Sequence, residues 1–272
     1  MSVDKSKNKG DFWITGSQVF RLMKNVSESL AGRVGIVNLL GLSDTEIYQE
    51  PSEPFQPDAA KVADEMQFYN FMTVVAAHTS KPVVYEELAN ATAISAPTAK
   101  KWLSILVSSH IIALVQPYHN NALKRVVKMP LLHFLDTGLA AYLLKWGNPE
   151  VLERGAMSGA FFESYVFSEI YKSYLNAGKE PPIFYYRDKD KKEIDLLIYQ
   201  NGVLSPIEIK KSTSPGKEAI KNFKVLKPAT HEEKFDGLDS LKVEIGTGSV
   251  VCMANDLLPV DDKNWYVPVW LI

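Results

Sequence analysis

The chain has 272 residues, 46% hydrophobic and 23% charged, and its 30 basic and 32 acidic residues give a formal net charge of -2. That length suits two or three domains of ordinary size, and the composition excludes collagen-like, coiled-coil and wholly disordered chains. A near-zero charge excludes a global field for nucleic acid, so any such contact has to come from local basic patches. The one cysteine, Cys252, excludes an intrachain disulfide and a thiolate-rich zinc site, which fits a reducing compartment and leads us to expect a cytoplasmic protein. No apolar run approaches the ~20 residues of a membrane span, and the lysine-rich start lacks a following apolar signal core, so we expect no membrane contact.

In chain order, residues 1–10 read as a disordered lead-in. The apolar run 12–14 followed by Thr15-Gly16-Ser17 predicts a buried strand entering a capped helix. Val19, Phe20, Met23, Val26 and Leu30 then recur at helical spacing, and an apolar strand follows over 34–40. Three prolines and five carboxylates between Ser43 and Asp58 mark an exposed linker, which closes a first unit at 11–58.

A second unit, 59–150, opens with helices. Phe68, Phe71, Met72, Val75 and Ala76 form one apolar stripe. A short helix begins at Tyr85, Ala93-Ile94-Ser95 turns, and Ser95 caps a second helix in which Pro97 sits early enough to cost nothing. A strand over 111–117, a polar loop and a strand over 124–127 complete two helices plus a β-hairpin, the arrangement of a winged helix-turn-helix. No carboxylate lies between Glu87 and Asp136, whereas Lys100, Lys101, Lys124, Arg125 and Lys128 do. That charge falls on the second helix and the wing, the elements that meet DNA in winged-helix proteins. The same unit also suits a protein-docking module, with Trp102 as a core residue.

The third unit, 151–272, alternates a long helix over 161–175 with strands over 183–187, 193–199, 204–211, 249–254 and 265–272, and places a helix over 217–226. Lys217, Lys221 and Lys224 repeat along that last helix, as a path for a phosphodiester backbone or as an ordinary solvated face. Asn201-Gly202 is a strong signal for a two-residue hairpin turn. With those two residues in the loop, Gln200 faces Val203 and Asp195 faces Glu208. Side chains so paired are ~4.5 to 5.5 Å apart at Cβ, close enough for both carboxylates to reach one divalent cation. Lys210 shares their face, and Ile194, Leu196, Ile198, Ile207 and Ile209 form the apolar one. The alternative is a solvated face with a Glu193 to Lys210 salt pair. The five histidines show no ligand spacing, and Cys252 sits in an apolar strand as a buried residue.

The acid of the first strand, the Glu208-Ile209-Lys210 of the second and Glu163 on the preceding helix resemble the PD-(D/E)XK nuclease-like fold. The resemblance implies that Asp195 and Glu208 bind Mg²⁺ or Mn²⁺, that Glu163 contributes to the metal and water shell, and that Lys210 orients or activates the attacking water. It equally admits an inactive descendant.

Across the whole chain, Trp13-Ile14-Thr15-Gly16-Ser17-Gln18, Ser27-Glu28-Ser29-Leu30-Ala31-Gly32-Arg33, Asp136-Thr137-Gly138-Leu139-Ala140 and Tyr185-Tyr186-Arg187-Asp188 are similar to prokaryotic AAA-type ATPases that carry a C-terminal domain of unknown function. In that comparison Thr15, Ser17 and Gln18 correspond to a sensor strand near the nucleotide, and Arg33 to a basic residue at the edge of the ATPase module. The phosphate-cradling Gly-x-x-x-x-Gly-Lys-[Ser/Thr] is absent from the sequence. The expectation is therefore an α/β and α+β multidomain chain: a short AAA-derived fragment, a winged helix and a restriction-endonuclease-like α/β domain. It would act on DNA, or as an assembly module of a split or truncated ATPase. ATP would bind only if another chain completes the nucleotide site, and the partners expected are DNA, a P-loop ATPase subunit or a second copy of the chain.

Overall fold

The structure, a computed structural model, describes residues 65–118, 129–188, 190–226 and 243–272. The expected strands and helix of residues 11–40, the linker, the sensor-like Thr15, Ser17, Gln18 and Arg33, and the wing strand with Lys124, Arg125 and Lys128 lie outside these residues.

The first helix, α1 (Glu65–Ala77), buries the whole expected stripe of Phe68, Phe71, Met72, Val75 and Ala76. It packs on α2 (Tyr85–Ala91) and α3 (Ala96–Ser108). Trp102 is a core residue, edge-on to Phe68 at 5.3 Å and to Phe71 at 5.5 Å. Ser95 caps α3 by accepting from the Thr98 amide at 3.2 Å, with Pro97 in the first turn, where a missing N–H leaves no bond broken. Ser95→Ala is expected to lower stability by about 1 kcal/mol in denaturant melts.

Strand β1 (Lys81–Pro82) pairs with β3 (Leu131–Phe134), which pairs antiparallel with β2 (Ile112–Pro117). The described antiparallel partner of β2 is thus 131–134, where the sequence suggested no strand. Two short helices were likewise missed. Asp136 caps α4 (Thr137–Leu143) by accepting from the Leu139 amide, and Asn148 caps α5 (Pro149–Arg154) by accepting from the Val151 amide.

The long helix α6 (Ser158–Asn176) lies on a mixed sheet. Its strands are β4 (Ile183–Arg187), β5 (Glu193–Gln200), β6 (Val203–Lys210), β7 (Glu244–Ile245), β8 (Gly248–Cys252), β9 (Leu258–Pro259) and β10 (Asn264–Pro268). The end of β2 joins β4 in parallel through Gln116–Phe184 and Pro117–Tyr185. One continuous sheet results, ordered β1-β3-β2-β4-β5-β6-β8-β10-β9 with β7 on β6, and it ties the two halves of the described chain together. Val166, Phe167 and Ile170 of α6 pack on Leu196, Ile207, Ile209 and Val251, while Ile194, Leu197 and Leu204 form a separate core with Phe223.

Phe223 belongs to Lys217–Val225, which is a 3₁₀ helix and not the expected α-helix. At three residues per turn, Lys221 and Lys224 share one row and Lys217 is rotated by about 120° from it. All three are exposed, but they do not form the single stripe that α-helical spacing suggested. Cys252 is buried, as its apolar strand implied. Among the described residues, no helix is long and apolar enough to cross a membrane.

Candidate functional site

Asn201 and Gly202 have φ values of 53° and 81°, the left-handed pair that a type I′ turn requires, and Gln200 faces Val203 as expected. The β5–β6 ladder then runs only as far as Leu196–Ile207, one pair short of Asp195 and Glu208. The cause lies on the other side of β5. Between the pairs Phe184–Leu197 and Tyr186–Ile194, three steps of β5 oppose two of β4, which is a bulge at Asp195 and Leu196.

The bulge corrects the expected face pattern. Leu196, Ile198, Ile207 and Ile209 do pack together under α6, but Ile194 belongs to the opposite core with Leu197. Past the bulge β5 stays paired with β4 and β6 with β8, and the two no longer pair with each other. The Asp195 carboxylate takes the place of a backbone acceptor, receiving the Ile209 amide at 2.7 Å.

Three carboxyl groups and one ammonium converge at this parting of the strands. Burial, then the charge of Asp195, pushes Glu163 up to about 7. The same two causes raise Glu208 to about 7, with Glu163 adding to the push. Burial also raises Asp195, against the pull of Lys210 and the Ile209 amide. Burial works to lower Lys210, but its hydrogen bond to Glu208 and the fields of Asp195, Glu208 and Glu163 outweigh it and leave the ammonium raised. Lys210 Nζ stands 2.6 Å from Glu208 Oε1.

Glu193 pairs with Arg187 at 3.0 Å, so the Glu193 to Lys210 pair of the solvated-face alternative does not form. Glu208 is 6% exposed, and its second oxygen, Oε2, is buried without a hydrogen-bond partner. A buried carboxylate oxygen left bare costs free energy unless something electropositive meets it.

These residues fit a divalent cation in part. Among the described residues, no three His, Cys, Asp or Glu side chains form a closed ligand cage. Mg²⁺ is commonly held by only one or two carboxylates, the remaining positions going to water and phosphate oxygens, and Asp195 with Glu208 supplies that number.

Lys100 and Lys101 are exposed on α3. Asn222 donates to the Glu193 carbonyl at 2.8 Å, which fastens the lysine-bearing 3₁₀ helix to the start of β5. His133, which the sequence left as one histidine among five, is fully buried on β3. Its Nδ1 lies 3.0 Å from Ser164 Oγ, its ring stacks on Phe167 at 4.5 Å, and burial lowers it to about 3. Ser80, which no sequence signal marked, donates to the Glu163 carboxylate.

Three family models match the chain: an AAA domain over residues 1–48, a domain of unknown function (DUF8612) over 56–150 and a domain of unknown function (DUF4143) over 158–272. Uncharacterized proteins of Mycobacterium bovis and Mycobacterium tuberculosis are each 25% identical over 247 residues, covering 78% of this chain. The chain spans about half of those relatives, 55% of each. No solved structure matches it. Along its length the chain is similar to AAA-type ATPase-like proteins that carry domains of unknown function.

Proposed function

We propose that the parting of β5 and β6 is a divalent-cation site for phosphodiester hydrolysis on DNA, attached to an ATPase-like protein. The observation that carries this reading is the bare, buried Oε2 of Glu208 beside Asp195. Asp195 and Glu208 would hold Mg²⁺ or Mn²⁺, and a cation so held lowers the pKa of its water and offsets phosphate charge. The chain's own residues do the rest. Asp195 is aimed by the Ile209 amide, and Glu208 is oriented by Lys210 through Oε1, which leaves Oε2 for the cation. Lys210, with its raised affinity for a proton, keeps a positive group beside the attacked phosphate. Glu163 closes the shell from α6.

Cleavage of linear and branched DNA with Mn²⁺ tests this reading. The wild-type chain is expected to cut, and Asp195→Ala to lose at least about a hundredfold, the upper end of what a lost supporting partner costs a metal site. Equal rates in the two proteins contradict it.

A second reading, a non-enzymatic assembly module, is favoured by the Lys210–Glu208 ion pair, which neutralises part of the acid cluster without a cation. Cleavage absent on every substrate supports it.

DNA binding is proposed to run through Lys100 and Lys101 of α3, through Lys124, Arg125 and Lys128 of the wing sequence, and through Lys217, Lys221 and Lys224. Removing Lys100 and Lys101 together is expected to reduce the slope of log K against log salt by about 2, as two phosphate contacts release fewer counterions. An unchanged slope places the contact elsewhere. Without the phosphate-cradling string, the chain alone is expected to show no saturable ATP binding in calorimetry at micromolar concentration. Binding that appears on mixing with a P-loop subunit identifies the partner that completes the site.

A further inference from the structure

The turn after α1 reaches across to α6 with two consecutive residues. Thr79, 1% exposed, places Oγ1 2.7 Å from Ser164 Oγ and accepts the Phe134 amide at 3.1 Å. Ser80 donates to the Glu163 carboxylate, and its own amide is fixed to the Leu132 carbonyl at 2.6 Å. Ser80 takes this position with φ at 61°, in the left-handed region that a residue with a Cβ seldom occupies.

The sheet and the buried Thr79–Ser164 contact, which the Ser164–His133 bond extends to β3, already join the two halves of the described chain. The Ser80–Glu163 bond adds something different. It fixes a carboxylate that stands in the repulsive field of Asp195 and would otherwise turn away from it. The backbone conformation belongs to the turn into β1, while the hydroxyl meets one carboxylate at a charged cluster, and that contact points to positioning.

We infer, on the basis of the cation-site reading, that Ser80 is a positioning residue that holds Glu163 of α6 toward Asp195 and Glu208 from the helical half of the protein. The cation site is then incomplete without the turn that precedes β1.

The experiment is Mn²⁺ binding by calorimetry on the full chain at pH 8, with the melting temperature of each cation-free variant as a control on folding. Ser80→Gly is the informative change, because glycine accepts φ near 60° without a Cβ penalty and removes the hydroxymethyl group that meets Glu163. It is expected to weaken Mn²⁺ about tenfold at an unchanged melting temperature, in the range a lost supporting hydrogen bond costs a metal site. Ser80→Asn, whose amide tolerates the left-handed region and can donate, is expected to recover part of that loss.

In a Glu163→Gln background, Ser80→Gly is expected to add nothing. Ser80→Gly at wild-type affinity, or a loss that persists undiminished in the Glu163→Gln background, overturns the role of Ser80. If wild-type binding is abolished by Asp195→Asn while Ser80→Gly binds normally, the Ser80 inference falls and the cation site stands. If the wild type shows no Asp195-dependent binding, both fall.

Discussion

Asp195→Asn is expected to make the cation-free protein more stable than wild type at pH 8 and to remove its stabilisation by Mn²⁺. Asparagine keeps the shape and can still accept the Ile209 amide, so the bulge survives, while one of three mutually repelling carboxylates is gone. In the wild type, Glu163 and Glu208 are both raised to about 7 from an ordinary 4.5, by burial first and Asp195 second. A carboxyl whose folded value is raised binds more protons folded than unfolded. Its contribution is therefore whole below the ordinary value and is lost as pH rises through the folded one.

The loss accumulates between about pH 4.5 and pH 7 and is on the order of 3 kcal/mol for each glutamate. Removing Asp195 returns part of that at pH 8, about 1 to 2 kcal/mol, and little at pH 5, where the two glutamates hold their protons. Mn²⁺ reverses the order at pH 8 by binding the wild type alone. Denaturant melts of both proteins at pH 5 and pH 8, with and without Mn²⁺, read all of these differences. Equal stabilities at pH 8, or equal Mn²⁺ shifts, contradict the account. A gain in stability on removing a site acid is the pattern of a centre built for a ligand and not for the fold.

The second large effect is acid lability through His133. Its imidazole is fully buried, its Nε2 is without a hydrogen-bond partner, and burial lowers it from 6.5 to about 3. The folded protein therefore keeps it neutral while the unfolded chain takes up a proton below about pH 6.5. This stability is whole above that value and is lost as pH falls toward 3, on the order of 4 to 5 kcal/mol in all. His133→Asn, which can donate to Ser164 but cannot charge, is expected to be less stable than wild type at pH 7, because it vacates the ring stack on Phe167. Between pH 6.5 and pH 4 its stability is expected to fall more slowly than that of the wild type. Parallel pH profiles for the two proteins contradict the assignment. Both proteins of the Asp195 comparison carry His133, so its contribution cancels there.

How far the sequence carried the structure is clearest at the hairpin. Asn201-Gly202 fixed the turn and five ladder pairs, because the left-handed requirement is local and the side-chain period of two propagates it. Extrapolating one more pair failed at Asp195, since the bulge is imposed by β4, a strand that the period of β5 cannot sense. The α1 stripe and the Ser95 cap were legible for the same local reason. Lys217–Val225 was not, because its apolar positions suit either helix type and packing of Phe223 on the sheet decided between them.

Of the site, Asp195, Glu208 and Lys210 were named from residue type and spacing and Glu163 only from the resemblance, and the electrostatic fields of the four act on one another. Ser80 was invisible. It lies 83 positions from Glu163, and its backbone conformation is set by the β1–β3 neighbourhood and not by any residue beside it.

Crystals of the chain soaked in Mn²⁺ and measured at the manganese absorption edge address the cation directly. The account predicts one anomalous peak between Asp195 and the bare Oε2 of Glu208, about 2.1 to 2.3 Å from each carboxylate, with Lys210 still on Oε1. A peak elsewhere, or a site in which Glu208 Oε2 meets only protein or water, contradicts it.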